Sequence, residues 1–188
     1  MLNVVIYIDL VMTQEDKELL LKDLCGRLAN GVIGLCEIDA SYDTSFDTIF
    51  QTHKFNAEVY GIKEDLLLVT PLIEDNDEQT FTEEEVADGV AILDFTPYLF
   101  PMSSMTEEQA KELSILYDIK DILSIKITDE YIYFEVDDGF DSIETRTIWY
   151  DEIISSIETF DWVNKNNFDY RGLIPMGLAI DATNLNIY

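Results

Sequence analysis

The chain has 188 residues, with 39 Asp and Glu against 11 Lys and Arg, and a formal net charge of −28 at pH 7. Its 47% hydrophobic and 12% aromatic content exclude a disordered acidic chain, which has too little apolar surface to form a core. The charge argues against direct binding of nucleic acid or anionic membranes and favours basic proteins or cations as partners.

The N-terminal third predicts two strands flanking a helix. Residues 3–11 are β-branched and aromatic, which is typical of a buried strand. Thr13 is in position to cap a helix that ends at Asn30 and Gly31. The apolar positions of this helix recur at helical spacing, at Leu20, Leu21, Leu24 and Leu28. Residues 31–39 suggest a short second strand.

The next segment predicts a hairpin, although residues 40–54 alternate too weakly to assign. Residues 56–73 contain two β-rich runs joined at 62–65, the pattern of two paired strands. The stretch 72–89 follows, with eight carboxylates and no basic residue. Within it we predict a loop over 74–81 and a helix start over 83–90, since Thr82 and Glu85 have capping-box spacing.

The C-terminal half predicts further helices and a second hairpin. Residues 94–105 hold two of the four prolines among aromatic side chains, and we interpret them as a connection packed on the core. Thr106 and Gln109 have capping-box spacing, and 122–136 is a clear hairpin pattern. An acidic loop follows it. The segment after that loop has an apolar face at helical spacing, formed by Ile153, Ile154, Ile157 and Phe160.

These elements predict an α+β fold: a compact domain of antiparallel hairpins with three to four short helices. We assign residues 1–188 to a single domain, with a candidate internal boundary near 94–105. The segments 62–90 and 127–157 share the order hairpin, acidic loop, helix. Two similar αβ halves would explain this order, and so would chance recurrence of a common unit.

Catalytic and metal-binding signatures are missing from the sequence. His53 is the only histidine, and Cys25 and Cys36 lack zinc-ligand spacing, so we predict free buried thiols. An EF-hand loop starting at Asp75 would have Thr80 in place of glycine. We therefore predict no enzyme and no cofactor. A catalytic pair of carboxylates and an irregular Ca²⁺ site both remain possible alternatives, because the spacing of the acids does not single out any particular set.

The N-terminus lacks a basic n-region and reaches Glu15 and Asp16 early, so we expect no signal peptide. No apolar run approaches the roughly 20 residues of a membrane span. These features predict a cytoplasmic location, in the host cell if the protein is phage-encoded.

The negative charge is concentrated in two segments. Thirteen acids and no base lie between residues 64 and 110, and eleven acids with one base, Arg146, lie between 127 and 164. A row of carboxylates can imitate the phosphates of duplex DNA and occupy a basic groove. In charge and size the chain resembles the phage and mobile-element inhibitors that imitate DNA to block restriction or CRISPR nucleases.

We accordingly predict a non-enzymatic inhibitor of a basic nucleic-acid-binding protein, such as a nuclease or defence protein. The alternative is an immunity or antitoxin protein that neutralises a basic toxin through a local, shape-specific interface. Tyr131, Tyr133 and Trp149 could anchor the partner. Alternation puts Tyr131 and Tyr133 on one face, so these two could equally belong to the core. The candidate partner-binding acids are Glu74, Asp75, Asp77, Glu78, Glu83, Glu84 and Glu85 in a first group, and Asp137, Asp138, Asp141 and Glu144 in a second.

Overall fold

The computed structural model describes residues 12–43, 48–63, 66–72, 90–140 and 142–187, with the backbone alone for 39–43 and 48–53. The described part has mixed α+β content, which confirms the predicted fold class. The helices are α1 (Gln14–Arg27), α2 (Glu107–Leu116) and α3 (Ile157–Lys165). The strands are β1 (Val32–Asp43), β2 (Thr48–Lys63), β3 (Leu66–Pro71), β4 (Val90–Ala91), β5 (Phe95–Leu99), β6 (Ile122–Ile127), β7 (Tyr131–Asp137), β8 (Ile143–Trp149) and β9 (Ile180–Asp181).

All three of these helices begin at a capping box, in which the cap side chain and the third helical residue satisfy each other's backbone N–H. The caps at Thr13 and Thr106 confirm the predicted starts of α1 and α2, and Ser156 caps α3. After α1 a 3₁₀ turn ends at Gly31, whose φ of 75° suits glycine. No helix among the described residues is long and apolar enough to cross a membrane.

The first sheet has six strands in the order β4-β3-β2-β1-β5-β9. Its centre is a long antiparallel hairpin, in which β1 pairs with β2 from Val32–Val59 to Asp43–Thr48. Of residues 40–54, unassigned from sequence, 40–43 therefore belong to β1 and 48–54 to β2. The predicted β2–β3 hairpin is confirmed. β9 adds in parallel to β5 and brings the C-terminal segment onto the sheet edge.

One core forms where α1 and the segment 173–179 pack with this sheet. Leu20 and Leu24 of α1 are fully buried there, as predicted from their spacing. Leu173 and Leu178 complete the cluster from the C-terminal segment. The sheet side of this core includes Val32, Cys36, Ala57, Val59, Leu67, Val69, Phe95 and Leu99.

A second core lies under the three-stranded sheet β6-β7-β8. Alternation along β7 buries Ile132, Phe134 and Val136 in a cluster with α2 and α3. In this part of the chain, Leu99 belongs to the first core and Met102 to the second. The chain therefore passes from one core to the other inside the predicted boundary region 94–105. That both cores belong to a single domain stays a prediction.

The two cores meet at a β-bridge between Phe100 and Phe168. The Phe100 N–H donates to the Asn167 carbonyl at 2.9 Å, and the Asp169 N–H donates to the Phe100 carbonyl at 2.8 Å. Asp169 then folds the segment that follows, because its two carboxylate oxygens accept the Leu173 and Ile174 N–H groups at 2.8 Å each.

A buried ion-pair network ties α1 to this bridge. Arg27 donates to Asp23 through Nε at 2.6 Å and Nη2 at 3.1 Å, and Nη2 also donates to the Phe168 carbonyl at 2.8 Å. Asp23 and Arg27 are fully buried. Arg171 Nε lies 3.2 Å from Asp23 Oδ1, and both guanidinium groups stand over the Tyr170 ring. We refer to Asp23, Arg27, Tyr170 and Arg171 as the Asp23 network.

The prediction that the whole of segment 94–105 is a connection is wrong. Residues 95–99 form β5 inside the six-stranded sheet, and only the part beyond them is a connection. Pro97 ends the three-position pairing of β5 with β1, Gly34–Pro97 to Cys36–Phe95, and lies before the pairing of β5 with β9 begins at Tyr98. Close approach of the strands at Gly34 leaves no room for a side chain, since an added Cβ would lie 2.6 Å from the Thr96 carbonyl.

The predicted apolar helical face at 153–160 is also wrong. Residues 143–149 form β8, and α3 starts only at Ile157. Ile153 is buried, but Ile154 and Ile157 are 41% and 68% exposed. The periodic apolar positions span the Ser156 cap, so they do not share one helix. α3 instead buries Thr159, Val163 and Asn164.

The thiols differ from the expectation of two buried cysteines. Cys36 is buried in the first core, whereas Cys25 is exposed on α1. Burial raises the pKa of the Cys36 thiol to about 12, and the charge of Asp94 contributes. The predicted strand over 3–11, the loop over 74–81 and nearly all of the predicted helix start over 83–90 lie outside the described residues.

The first testable consequence concerns the Asp23 network. Arg27→Met should lower the free energy of unfolding by about 3–5 kcal/mol, because it removes one partner of a fully buried ion pair. Urea unfolding at pH 7 would measure this loss. Asp23→Leu combined with Arg27→Met should recover part of it, and a loss below about 1 kcal/mol in Arg27→Met would contradict the role of the network.

A second consequence concerns thiol reactivity. An aromatic disulfide reagent at pH 8 should modify one thiol per native chain and two in denaturant, because only Cys25 is exposed. Cys25→Ser should abolish the native reaction, whereas Cys36→Ser should leave it unchanged. Rapid modification of both thiols in the native state would show that the first core opens readily.

Candidate functional site

The first predicted acid group cannot be placed. Its seven members lie outside the residues that the structure describes, so their partner-binding role stays a prediction. Of the second group, Asp141 lies outside them too. The remaining three acids are at or next to the β7–β8 turn.

Asp137 and Asp138 build that turn. Asp137 Oδ1 accepts the Gly139 N–H at 2.8 Å, and Asp138 Oδ1 accepts the Phe140 N–H at 2.8 Å. The Ser142 hydroxyl donates to Asp138 Oδ2. The bond from Ser142, followed by that from the Phe140 backbone, holds the pKa of Asp138 below its ordinary value. Both carboxylates therefore shape a compact turn and do not extend along a helix face.

Glu144 is the third described member and lies on β8 opposite Val136. Arg146 Nη2 donates to its Oε2 at 3.0 Å, and both side chains are about half exposed. An exposed pair of this kind stabilises little, but it offsets the charge of Glu144 locally. The carboxylates of Asp137, Asp138 and Glu144 thus each have internal partners, and their role in binding stays a prediction.

The three aromatic candidates lie on the open face of the second sheet and not in its core. Tyr131 and Tyr133 alternate with the buried side of β7, and Trp149 pairs with Tyr131 across β8. The Tyr131 and Trp149 rings meet edge to face with centroids 4.9 Å apart. Trp149 is 45% exposed, and Phe140 at the turn is 88% exposed. These rings are available as contact surface.

Sequence reasoning missed a group of four acids at the other end of the β7–β8 pair. A backbone bond from the Tyr150 N–H to the Glu130 carbonyl, 3.0 Å long, places the strand ends that carry two Asp-Glu pairs next to each other, and Asp129 and Asp151 line one cleft. We call Asp129, Glu130, Asp151 and Glu152 the Asp-Glu cluster. All four are exposed, and within the described part of the chain none forms an ion pair with Lys or Arg.

A cleft of about 330 Å³ opens beside this cluster, and we call it the tyrosine cleft. Asp129 and Asp151 line it together with Tyr150 and Tyr170, and its apolar walls include Pro101, Met102, Ile174 and Pro175. Tyr150 is 8% exposed, and its hydroxyl donates to the Thr128 carbonyl at 3.0 Å. Burial, with a smaller contribution from the charge of Asp129, raises the Tyr150 pKa to about 12.

This arrangement suits a cation carried on an aliphatic stem. A lysine or arginine side chain would find carboxylates for its charge and aromatic and proline surfaces for its methylene groups. The sequence held a signal for it: Asp129-Glu130 precedes Tyr131, and Asp151-Glu152 follows Tyr150. Each acid pair adjoins an aromatic residue at a strand end, but only the pairing of β7 with β8 shows that the two pairs meet.

Groups suited to catalysis or metal binding are scarce in the part of the chain that the structure describes. It contains no group of three or more His, Cys, Asp or Glu side chains arranged to hold a metal ion. His53 is opposite Ile38 in the β1–β2 ladder, where only its backbone is described.

Comparison of the chain with protein-family models, with curated proteins and with solved structures gave no match.

The raised Tyr150 pKa gives a prediction for alkaline stability. The folded-state pKa of about 12 exceeds the ordinary value of 10.0, so the neutral phenol favours the folded state. This contribution is complete below pH 10 and is lost as the pH rises towards 12, at a slope of up to about 1.4 kcal/mol per unit. Tyr150→Phe should lose less stability between pH 10 and 12 than the native chain does.

Urea unfolding across this pH range would measure the difference, with Tyr133→Phe on the open face of the same sheet as control. Equal alkaline losses in the native chain and Tyr150→Phe would show that the buried phenol does not contribute.

Proposed function

We propose that this protein is a non-enzymatic acidic inhibitor that binds a basic, nucleic-acid-handling protein and occupies its nucleic-acid-binding surface in the manner of a DNA mimic. The observation that carries the proposal is the Asp-Glu cluster. Its four residues are exposed and without ion-pair partners in the described chain, and two of them, Asp129 and Asp151, line a cleft whose carboxylates and aromatic walls suit a basic side chain. The net charge of −28 supplies the long-range attraction.

The energetics favour a binding role for this cluster. Like charges held close together repel, and folding gains nothing from leaving them unpaired. A basic partner removes that repulsion and adds charge-assisted hydrogen bonds as the interface closes. Attraction between opposite charges can raise association rates from about 10⁵–10⁶ M⁻¹s⁻¹ to 10⁸–10⁹ M⁻¹s⁻¹ at low salt.

Aromatic side chains near the acids extend this surface. Trp149 and Tyr131 are close to the Asp-Glu cluster in sequence, and Phe140 is at the opposite end of the same strand pair. Exposed aromatic side chains are frequent hot spots in protein interfaces. An acidic surface with aromatic anchors supports binding to protein.

The second candidate is an immunity or antitoxin protein for a basic toxin such as a nuclease. The tyrosine cleft favours this reading, because a pocket for one side chain gives a local, shape-specific interface. The turn formed by Asp137 and Asp138 points the same way, since these acids do not form an extended row. The two candidates differ in breadth: a mimic blocks several DNA-binding proteins, and an immunity protein blocks one.

Three quadruple variants, each raising the net charge by four, would test the proposal. The first neutralises the Asp-Glu cluster with Asp129→Asn, Glu130→Gln, Asp151→Asn and Glu152→Gln. The second neutralises four acids of the first predicted group, Glu74, Asp75, Asp77 and Glu78. The control neutralises four exposed helix acids that do not line the tyrosine cleft, Glu15, Glu18, Glu107 and Glu108.

The measurement is inhibition of plasmid cleavage by a panel of purified restriction, CRISPR and toxin nucleases, with association rates at 50 mM and 500 mM NaCl. We expect the cluster variant to associate at least tenfold more slowly than the control, and the difference to shrink at high salt. Equal activity of all three variants would show that total charge alone matters. Failure to inhibit any nuclease at equimolar concentration would contradict the proposed function.

A further inference from the structure

A second cleft, of about 390 Å³, is lined by Phe100 of the Phe100–Phe168 bridge and shares no lining residue with the tyrosine cleft. We call it the polar cleft. The end of the α1 segment and strands β1 and β2 form one side of it, and α2 and the C-terminal end of α3 form the other. Its volume is within the roughly 300–1,000 Å³ that is usual for small-molecule sites. Phe100 and Ile33 give it an apolar surface.

Asn167 is the most unusual residue of this cleft. Its φ of 53° is in the left-handed region, where glycine is the usual choice and asparagine is one of few alternatives. The side chain is 7% exposed, and no donor among the described residues reaches its buried Oδ1. A buried acceptor without a donor costs about 1–3 kcal/mol. Asn167 therefore offers an acceptor that a ligand could satisfy.

The neighbouring amides are already used within the protein and form a fixed wall. Gln109 accepts the Thr106 N–H at 2.9 Å and donates to Asn166 Oδ1 at 3.3 Å. The Asn166 amide in turn donates to the Trp162 carbonyl at 2.9 Å. These bonds hold the start of α2 against the end of α3, so this side of the cleft is preorganised.

Two opposite charges line the same cleft. Glu58 of β2 and Lys165 of α3 both lie on its walls, and in the described chain neither forms an ion pair. Gly31 makes room for the carboxylate, because a Cβ at this position would lie 2.5 Å from Glu58 Oε1. The chain thus keeps an anion, a cation and an unmet acceptor around one small volume.

We propose that the polar cleft binds a small zwitterion, a molecule with an ammonium and a carboxylate group such as a free α-amino acid. The ammonium donates to the Glu58 carboxylate and to Asn167 Oδ1, and the carboxylate accepts from the Lys165 ammonium. An apolar side chain of the ligand packs on Phe100 and Ile33. Charge-assisted bonds at both ends make the site selective for molecules that carry both charges. This site is separate from the one proposed for the protein partner.

Thermal unfolding with each of the twenty amino acids at millimolar concentration would detect binding, and isothermal titration would give the Kd. We expect at least one amino acid with an apolar side chain to raise Tm in a saturable way. The single-charge analogues of leucine, 3-methylbutylamine and 4-methylpentanoate, should each bind at least tenfold more weakly than the zwitterion. An amine or a carboxylate that binds as tightly as its parent amino acid would overturn the proposal.

Variants of the wall residues supply the second readout. Glu58→Gln, Lys165→Met and Asn167→Gly should each weaken binding about tenfold, and glycine suits the backbone at position 167. Glu108→Gln and Lys111→Met, on exposed positions of α2 outside the cleft, are the matched controls and should bind like the native chain. No saturable stabilisation by any amino acid, or equal binding by the wall and control variants, would overturn the proposal.

Discussion

The ion pair between Asp23 and Arg27 determines how the two cores meet. It forms within one helix, yet its guanidinium also binds the Phe168 carbonyl, and Arg171 approaches the same carboxylate from the C-terminal segment. Desolvating the two ions costs several kcal/mol each. The Phe168 carbonyl and Arg171 offset part of that cost, although Arg27 Nη1 has no hydrogen-bond partner among the described residues. Apolar packing tolerates small shifts, whereas this network requires one placement of residues 168–171 against α1. The bridge between Phe100 and Phe168, and the two clefts lined by residues next to it, depend on that placement.

The acidic residues divide into those with a structural task and those without one. Asp16 completes a helix cap, Asp169 holds two backbone N–H groups, and Asp138 closes a turn. The hydrogen bonds of such carboxylates offset part of the destabilisation that self-repulsion of a large negative charge causes. The Asp-Glu cluster has no task of this kind in the described structure. Its exposure beside an aromatic cleft is the basis for proposing an external partner.

Local signals in the sequence predicted the elements that depend on local chemistry. Thr13 and Thr106 start helices because a cap needs only its own first turn, and residues 122–136 form a hairpin because their alternation matches a pleated strand. Predictions failed where distant residues decide. Residues 95–99 become a strand because β1 and β9 lie on either side of them, and the Ile153–Phe160 periodicity crosses a cap. The candidate site shows the same dependence on distant residues. Its acids could be read from the sequence, but only the β7–β8 pairing brings Asp129 and Asp151 to one cleft. The polar cleft, formed by residues from five regions of the chain, gave no sequence signal.

The bond from Arg27 to Phe168 spans 141 residues of sequence, which has a consequence for biosynthesis. At a translation rate of about 5–20 residues per second, roughly 7–30 seconds separate the synthesis of these two residues. During that interval α1 carries a charged pair that lacks its carbonyl acceptor, and the first sheet lacks both β9 and the apolar cover of residues 173–179. The first core can therefore be completed only after residues 173–181 have been synthesised. Electrostatic repulsion between the strongly negative nascent chains would oppose their aggregation before the first core is complete.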